Sequence, residues 1–80
     1  MIDDYEIKKH SITLKGHPTS ITLENIFWRT LLNIANERNK PVSQILNHID
    51  NNRNGNLSSA VRIYVLRQIL KEKNNLKNYN

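Results

Sequence analysis

Apolar and polar residues alternate along two stretches near the start of the chain, and both stretches spell the same four letters. Residues 10–24 read HSITLKGHPTSITLE, with SITL at 11–14 and again at 20–23. A period of two is the mark of a strand with one buried face. In the first copy Ile12 and Leu14 point one way and Ser11, Thr13 and Lys15 the other; in the second, Ile21 and Leu23 stand against Ser20, Thr22 and Glu24. Gly16, His17 and Pro18 lie between the copies, where Gly tolerates positive φ and Pro is unsuited to a central ladder position. The pattern predicts two short strands, at about 10–15 and 19–24, joined by a turn.

Beyond residue 24 the period changes. In ENIFWRTLLNIANERN, Phe27, Trp28, Leu31, Leu32, Ile34 and Ala35 form a helical stripe that opens at Glu24 or Asn25 and ends at Asn39 and Lys40. Pro41 suits the first turn of a second helix carrying Val42, Ile45, Leu46 and Ile49. The stretch DNNRNG, 50–55, is a break rich in turn formers. A third helix opens at Asn56, with Ser58 and Ser59 close to its cap, and runs LSSAVRIYVLRQILKEK. Leu57, Val61, Ile63, Tyr64, Val65, Leu66, Ile69 and Leu70 make it apolar over a wide arc, as in helices packed on two sides. The order is β-β-α-α-α, a mainly α chain with a short N-terminal hairpin or ribbon. Residues 1–9 are expected to be a flexible arm, 10–73 the domain with an extra C-terminal helix, and 74–80 a frayed tail.

Eighty residues make one domain, and an apolar fraction of 38% is low for a self-sufficient core, which points to an oligomer. The formal charge is +5 and suggests an anionic partner, nucleic acid first. That charge is uneven: residues 1–24 hold three Lys against four acids, and residues 25–80 hold nine Lys or Arg against three. With no Cys there is no disulfide, thiol nucleophile or Cys-ligated metal. No apolar run reaches membrane-spanning length and MIDDYEIKK lacks a signal-peptide core, so a soluble cytoplasmic protein is expected, at the nucleoid if it binds DNA.

Three segments in order then resemble the ribbon-helix-helix proteins, and within them a short bacterial subgroup. These are Gly16-His17-Pro18-Thr19-Ser20-Ile21-Thr22-Leu23-Glu24, the pair Phe27-Trp28, and Gly55-Asn56-Leu57-Ser58-Ser59-Ala60-Val61-Arg62. The resemblance covers roughly residues 11–70 and implies an intertwined homodimer, in which one strand from each chain pairs antiparallel and the ribbon enters the DNA major groove. It implies base contacts from Ser20 and Thr22, and the expectation of a sequence-reading strand adds Thr19. Phosphate contacts would come from Lys15, His17, Lys40, Val42, Ser43 and Arg53, the amides near Val42 and Ser43 acting through the helix dipole. The dimer core would hold Ile21, Leu23, Trp28, Leu31, Ile45 and Ile49.

Two features depart from the wider family. Ser and Thr read bases less sharply than Arg or Asn, and Glu24, on the same face, would repel phosphate or accept from a cytosine amino group. Pro41 replaces the usual capping Ser or Thr. The plan needs only the second SITL; the first either pairs with it as a hairpin, the preferred reading, or is an arm carrying Lys8, Lys9, His10 and Lys15 to the DNA backbone. The third helix is either the family's second helix, with residues 41–54 an insertion, or, in the preferred reading, an extension that caps the dimer or builds a tetramer.

Other chemistry finds little support. His10, His17 and His48 lack metal-ligand spacing and read as surface or turn residues, His17 serving either a turn hydrogen bond or a phosphate. Phe27 and Trp28 read as core rather than a stacking platform, and Ser58 and Ser59 as capping residues rather than nucleophiles. Asp3, Asp4 and Glu6 form no carboxylate pair in a pocket, so an enzyme is the least expected class, and no cofactor or metal is expected. Among Arg29, Arg38, Lys40, Arg53, Arg62 and Arg67, Lys40 and Arg53 are preferred because they flank the second helix. The leading expectation is a DNA-binding regulator of transcription; the alternative is an interaction or antitoxin-like dimer that binds another protein through the third helix.

Overall fold

A computed structural model describes residues 3–77. Strands β1 (Ile7–Leu14) and β2 (His17–Glu24) form an antiparallel hairpin, followed by helices α1 (Asn25–Glu37), α2 (Val42–Asn52) and α3 (Leu57–Lys77). The expected order β-β-α-α-α is therefore the observed one. The two copies of SITL pair with each other, with Ser11 opposite Ser20, Ile12 opposite Thr19 and His10 opposite Ile21.

The turn sits one residue earlier than the sequence suggests. Leu14 pairs with His17, and Lys15 and Gly16 take φ of 51° and 80°, the two positive values of a type I′ turn whose twist suits a hairpin. Pro18 thus lies inside β2, opposite Thr13. Counting from the closing Leu14–His17 pair, this is a position whose backbone faces away from β1, so the missing N–H removes no ladder bond.

Residues 7–9, expected to belong to a loose arm, are strand. Residues 3–6 have a specific task as well. The Asn25 and Ile26 amides donate to the carbonyls of Glu6 and Asp4 (2.9 and 3.2 Å), and the buried Asn25 side chain donates to Asp3 O (2.8 Å). Those are the orphan donors of the first turn of α1, for which Glu24 offers no side-chain cap. Arg29 pairs with Asp4 and holds the same segment.

Helix α1 ends in a Schellman motif. Asn39 has φ 54°, its amide donates to Asn36 O, and the Lys40 amide reaches Ala35 O (3.1 and 3.0 Å). Pro41 precedes the first turn of α2 as its cap, extended at φ −63° and ψ 143°. Helix α3 is capped by Asn56, whose Oδ1 accepts the Ser59 amide at 2.8 Å.

The hairpin lies over the helices, β1 against α2 and β2 against α1 and α3. Its inner row, Ile12, Ile21 and Leu23, packs on Leu31, Ile34 and Ala35 of α1, Ile45, Leu46 and Ile49 of α2, and Val61 and Val65 of α3. Ile21, Leu23, Leu31, Ile45 and Ile49 are thus buried inside one chain, and Trp28 packs half-buried against them. Helix α3 buries only one face; Ile63, Leu66, Ile69 and Leu70 remain exposed. It runs on to Lys77, so residues 74–77 are helix rather than a frayed tail, and residues 78–80 of that expected tail lie outside the described residues.

Leu46 is 1% exposed and sits between α2 and the hairpin, whereas Leu32 of α1 is 39% exposed. Leu46→Ala is expected to cost about 2–5 kcal/mol through lost burial and a cavity. Leu32→Ala should cost much less. Urea unfolding with an unchanged m-value checks the contrast.

Candidate nucleic-acid interface

The register divides the hairpin into two faces. Paired residues share a face, so Lys9, Ser11 and Thr13 of β1 stand with Thr22, Ser20 and Pro18 of β2 on the outer side, away from the helices. All six are exposed. The result is a patch of four hydroxyls and one ammonium with no acid except Glu24 at its edge. Thr19 does not belong to it: it pairs with Ile12, a core residue, and turns to the inner side. Of the three residues expected to contact bases, Ser20 and Thr22 share the outer face and Thr19 does not. Lys9, Ser11 and Thr13 join them, and the duplicated SITL was the sequence signal for the two hydroxyls.

Beside the β1 edge lies the N-terminus of α2. Val42, Ser43 and Leu46 line a groove with Ser11, Thr13, Thr19 and Trp28. Pro41 supplies no side-chain cap, so the first amides of α2, those of Val42 and Ser43, are left for an outside acceptor at the positive end of the helix dipole. Ser43 is exposed and Val42 half-buried. A hairpin face and an uncapped helix start therefore open on the same side of the molecule.

A ribbon-helix-helix domain model matches residues 7–69. The chain belongs to the ribbon-helix-helix family. The matched range takes in both strands, α1, α2 and most of α3. A solved structure similar to this chain is that of an uncharacterized protein from Bordetella pertussis Tohama I, 28% identical over 89% of this chain with a TM-score of 0.72. The match spans 62% of that protein's length. No curated protein matches the chain in sequence. Among the described residues no helix is long and apolar enough to cross a membrane.

The remaining cations of this ribbon-helix-helix domain are distributed differently from the expectation. Lys15 and Arg53 converge on one carboxylate, Asp50, at 3.6 and 2.8 Å. The Lys15 amide also donates to Asn47 Oδ1 (2.9 Å), which docks the hairpin turn on α2. Arg53 donates on to Gly55 O (3.0 Å) and closes the loop into α3. It stands at the far end of α2, which at 1.5 Å per residue is about 16 Å from Val42. Lys40 is exposed beside Pro41 and the start of α2. His17 is exposed at the start of β2. The phosphate-contact residues proposed from the sequence thus fall into a group at the α2 start, Lys40, Val42 and Ser43, a pair already engaged by Asp50, Lys15 and Arg53, and His17 exposed beside the hairpin turn.

Glu24 is held by Arg62, whose Nε donates to Oε1 at 2.9 Å while the guanidinium lies over Phe27, 6.0 Å from the ring centre. The hydrogen bond from Arg62 keeps the Glu24 carboxyl below its ordinary range. The acid expected to repel phosphate is therefore turned to α3 and partnered. Ser58 links the same elements, donating to Thr22 O at 2.8 Å on the β2 edge.

His10 corrects another expectation. It is a strand residue rather than a surface or turn residue, stacked on Trp28 with ring centres 4.0 Å apart and planes 10° from parallel. Its Nε2 is buried with no hydrogen-bond partner. Burial, with the Lys8 ammonium nearby, lowers its pKa from the ordinary 6.5. The unfolded chain then binds a proton more readily than the folded one, so stability contributed by neutral His10 is present above 6.5 and is lost as pH falls below it. His10→Phe keeps a ring on Trp28 and removes the titration. Denaturation midpoints between pH 8 and pH 5 should fall on acidification in the parent and less steeply in His10→Phe; equal slopes would show that His10 is not the group responsible.

Proposed function

We propose that this chain binds duplex DNA as a homodimer and acts as a small regulator of transcription. The reading is supported above all by one arrangement: an exposed, hydroxyl-rich hairpin face opening on the same side as the uncapped start of α2. B-DNA's major groove admits a two-stranded ribbon, and the Ser11, Thr13, Ser20 and Thr22 hydroxyls can donate to or accept from base edges there. Lys9 adds a cation to the same face. The amides of Val42 and Ser43, with Lys40 beside them, would take a backbone phosphate and set the register of the hairpin on the duplex.

Affinity in this mechanism rests on phosphate neutralisation and specificity on short hydroxyl side chains. Such side chains discriminate less than a bidentate Arg or Asn, so modest sequence preference is expected. With Glu24 held by Arg62, the carboxylate opposes binding less than its position in the sequence suggests. The exposed apolar side of α3 favours a second reading, an antitoxin-like or interaction role in which another protein covers that helix. Catalysis and cofactors form no part of the proposal.

The test is an in-vitro selection with purified protein and sheared genomic DNA at about 150 mM salt, where weak non-specific binding fades. A short enriched inverted repeat is the expected outcome, and log affinity for it should fall with log salt by about 0.9 per phosphate neutralised. Thr22→Ala should then alter base preference by about 1 kcal/mol at one position of each half-site while sparing the Thr22 carbonyl that Ser58 uses. A chain that retains no DNA at any salt concentration is not a DNA-binding protein, and the second reading takes its place.

A further inference from the structure

We infer that the groove between α2 and α3 binds a small organic anion with a flat apolar body, an aromatic carboxylate being the simplest case. The groove runs in two adjoining stretches of about 240 and 400 Å³ that share His48, Tyr64 and Gln68. No residue of β1 or β2 lines either stretch, so the groove is distinct from the hairpin face. The larger volume falls within the range of small-molecule sites.

The smaller stretch is the charged end. Arg38, Lys40 and His48 line it, and no carboxylate does. Arg38 is held by α3, its guanidinium donating to Tyr64 Oη at 3.0 Å and to Gln68 Oε1. Both acceptors are neutral, so they fix the guanidinium without cancelling its charge and leave further N–H groups to donate. Neither Arg38 nor Lys40 forms a salt bridge among the described residues, in contrast to Arg29, Arg53 and Arg62. A planar guanidinium already held in place gives up little freedom when it meets a carboxylate, whose two oxygens match its fork.

The larger stretch is the apolar end. Ile49, Ala60, Ile63 and Tyr64 line it together with Arg67, and again no Asp or Glu does. Ala60, Ile63, Tyr64 and Arg67 follow at spacings of three and four, which places them on one side of α3. Ile49 is buried, Ala60 and Tyr64 are half-buried and Ile63 is exposed, so the surface grades from the core outward. A bare anion gains nothing from this end, and an uncharged aromatic molecule gains nothing from the other. A molecule that carries both parts uses the whole groove, and that decides the class of ligand.

Titration calorimetry of the full chain with naphthoate tests this, with naphthamide as the uncharged counterpart and inorganic phosphate as the bare anion. Naphthoate should bind at least about tenfold more tightly than either, because each of the others lacks one end. Arg38→Gln removes the guanidinium, and Lys40→Gln removes a charge on an exposed side chain without touching the Arg38 bridge; each should weaken naphthoate by about tenfold. Lys73→Gln takes the same charge from α3 outside the groove and should leave binding unchanged. Circular dichroism confirms that each variant keeps its helices, and nuclear magnetic resonance should show naphthoate shifting the amides of His48, Tyr64 and Gln68. No binding of naphthoate overturns the inference. So does phosphate binding as tightly as naphthoate, naphthamide binding as tightly, or a folded Lys40→Gln that binds like the parent. No DNA enters the measurement, so the groove and the DNA reading stand or fall separately.

Discussion

A two-stranded hairpin has too little apolar surface to hold its own register in water, and this one holds because three helices floor it. Ile12, Ile21 and Leu23 reach down from the strands and meet Leu31, Leu46 and Val61, one from each helix. A slip of one residue would turn those three side chains to solvent and bury Ser11, Ser20 and Thr22 without partners. The helices therefore set which face of the hairpin looks outward. The I′ turn at Lys15 and Gly16 and the Lys15–Asn47 bond to α2 set the same register from the other end.

That arrangement has an electrostatic consequence. Four of the twelve Lys and Arg residues are paired with carboxylates: Lys15 and Arg53 with Asp50, Arg62 with Glu24, Arg29 with Asp4. Arg38 bridges α1 to α3 through Tyr64 Oη at 3.0 Å and through Gln68 Oε1. These pairs lie at or near the surface and are individually weak. Their effect is on which cations remain for an anionic partner, and Lys9 and Lys40 remain at the hairpin face and the start of α2.

The small size of the domain shapes the rest. Its core draws on both strands and all three helices, and the N-terminal residues 3–6 serve as the missing cap of α1. Helix α3 buries one side in that core and leaves the other apolar side uncovered. A partner that buries it adds the kind of surface that domains below about 80 residues need for stability.

The order of elements was legible in the sequence because period-two and period-3.6 patterns record which side of each segment is buried. The SITL repeat carried the pairing itself, since equal alternation on two strands puts hydroxyls on one face and Ile and Leu on the other. The boundaries were less legible: Lys15 in a left-handed turn, Pro18 inside a strand and Asp3 to Glu6 as a helix cap all depend on backbone partners that propensity does not encode. Charge pairing was not legible at all. Asp50 accepting both Lys15 and Arg53, Arg62 reaching across 38 positions to Glu24, and His10 lying on Trp28 exist only because the hairpin folds back on the helices. Local periodicity is written into each segment, but which side chains meet is decided by the packing of segments distant in the chain.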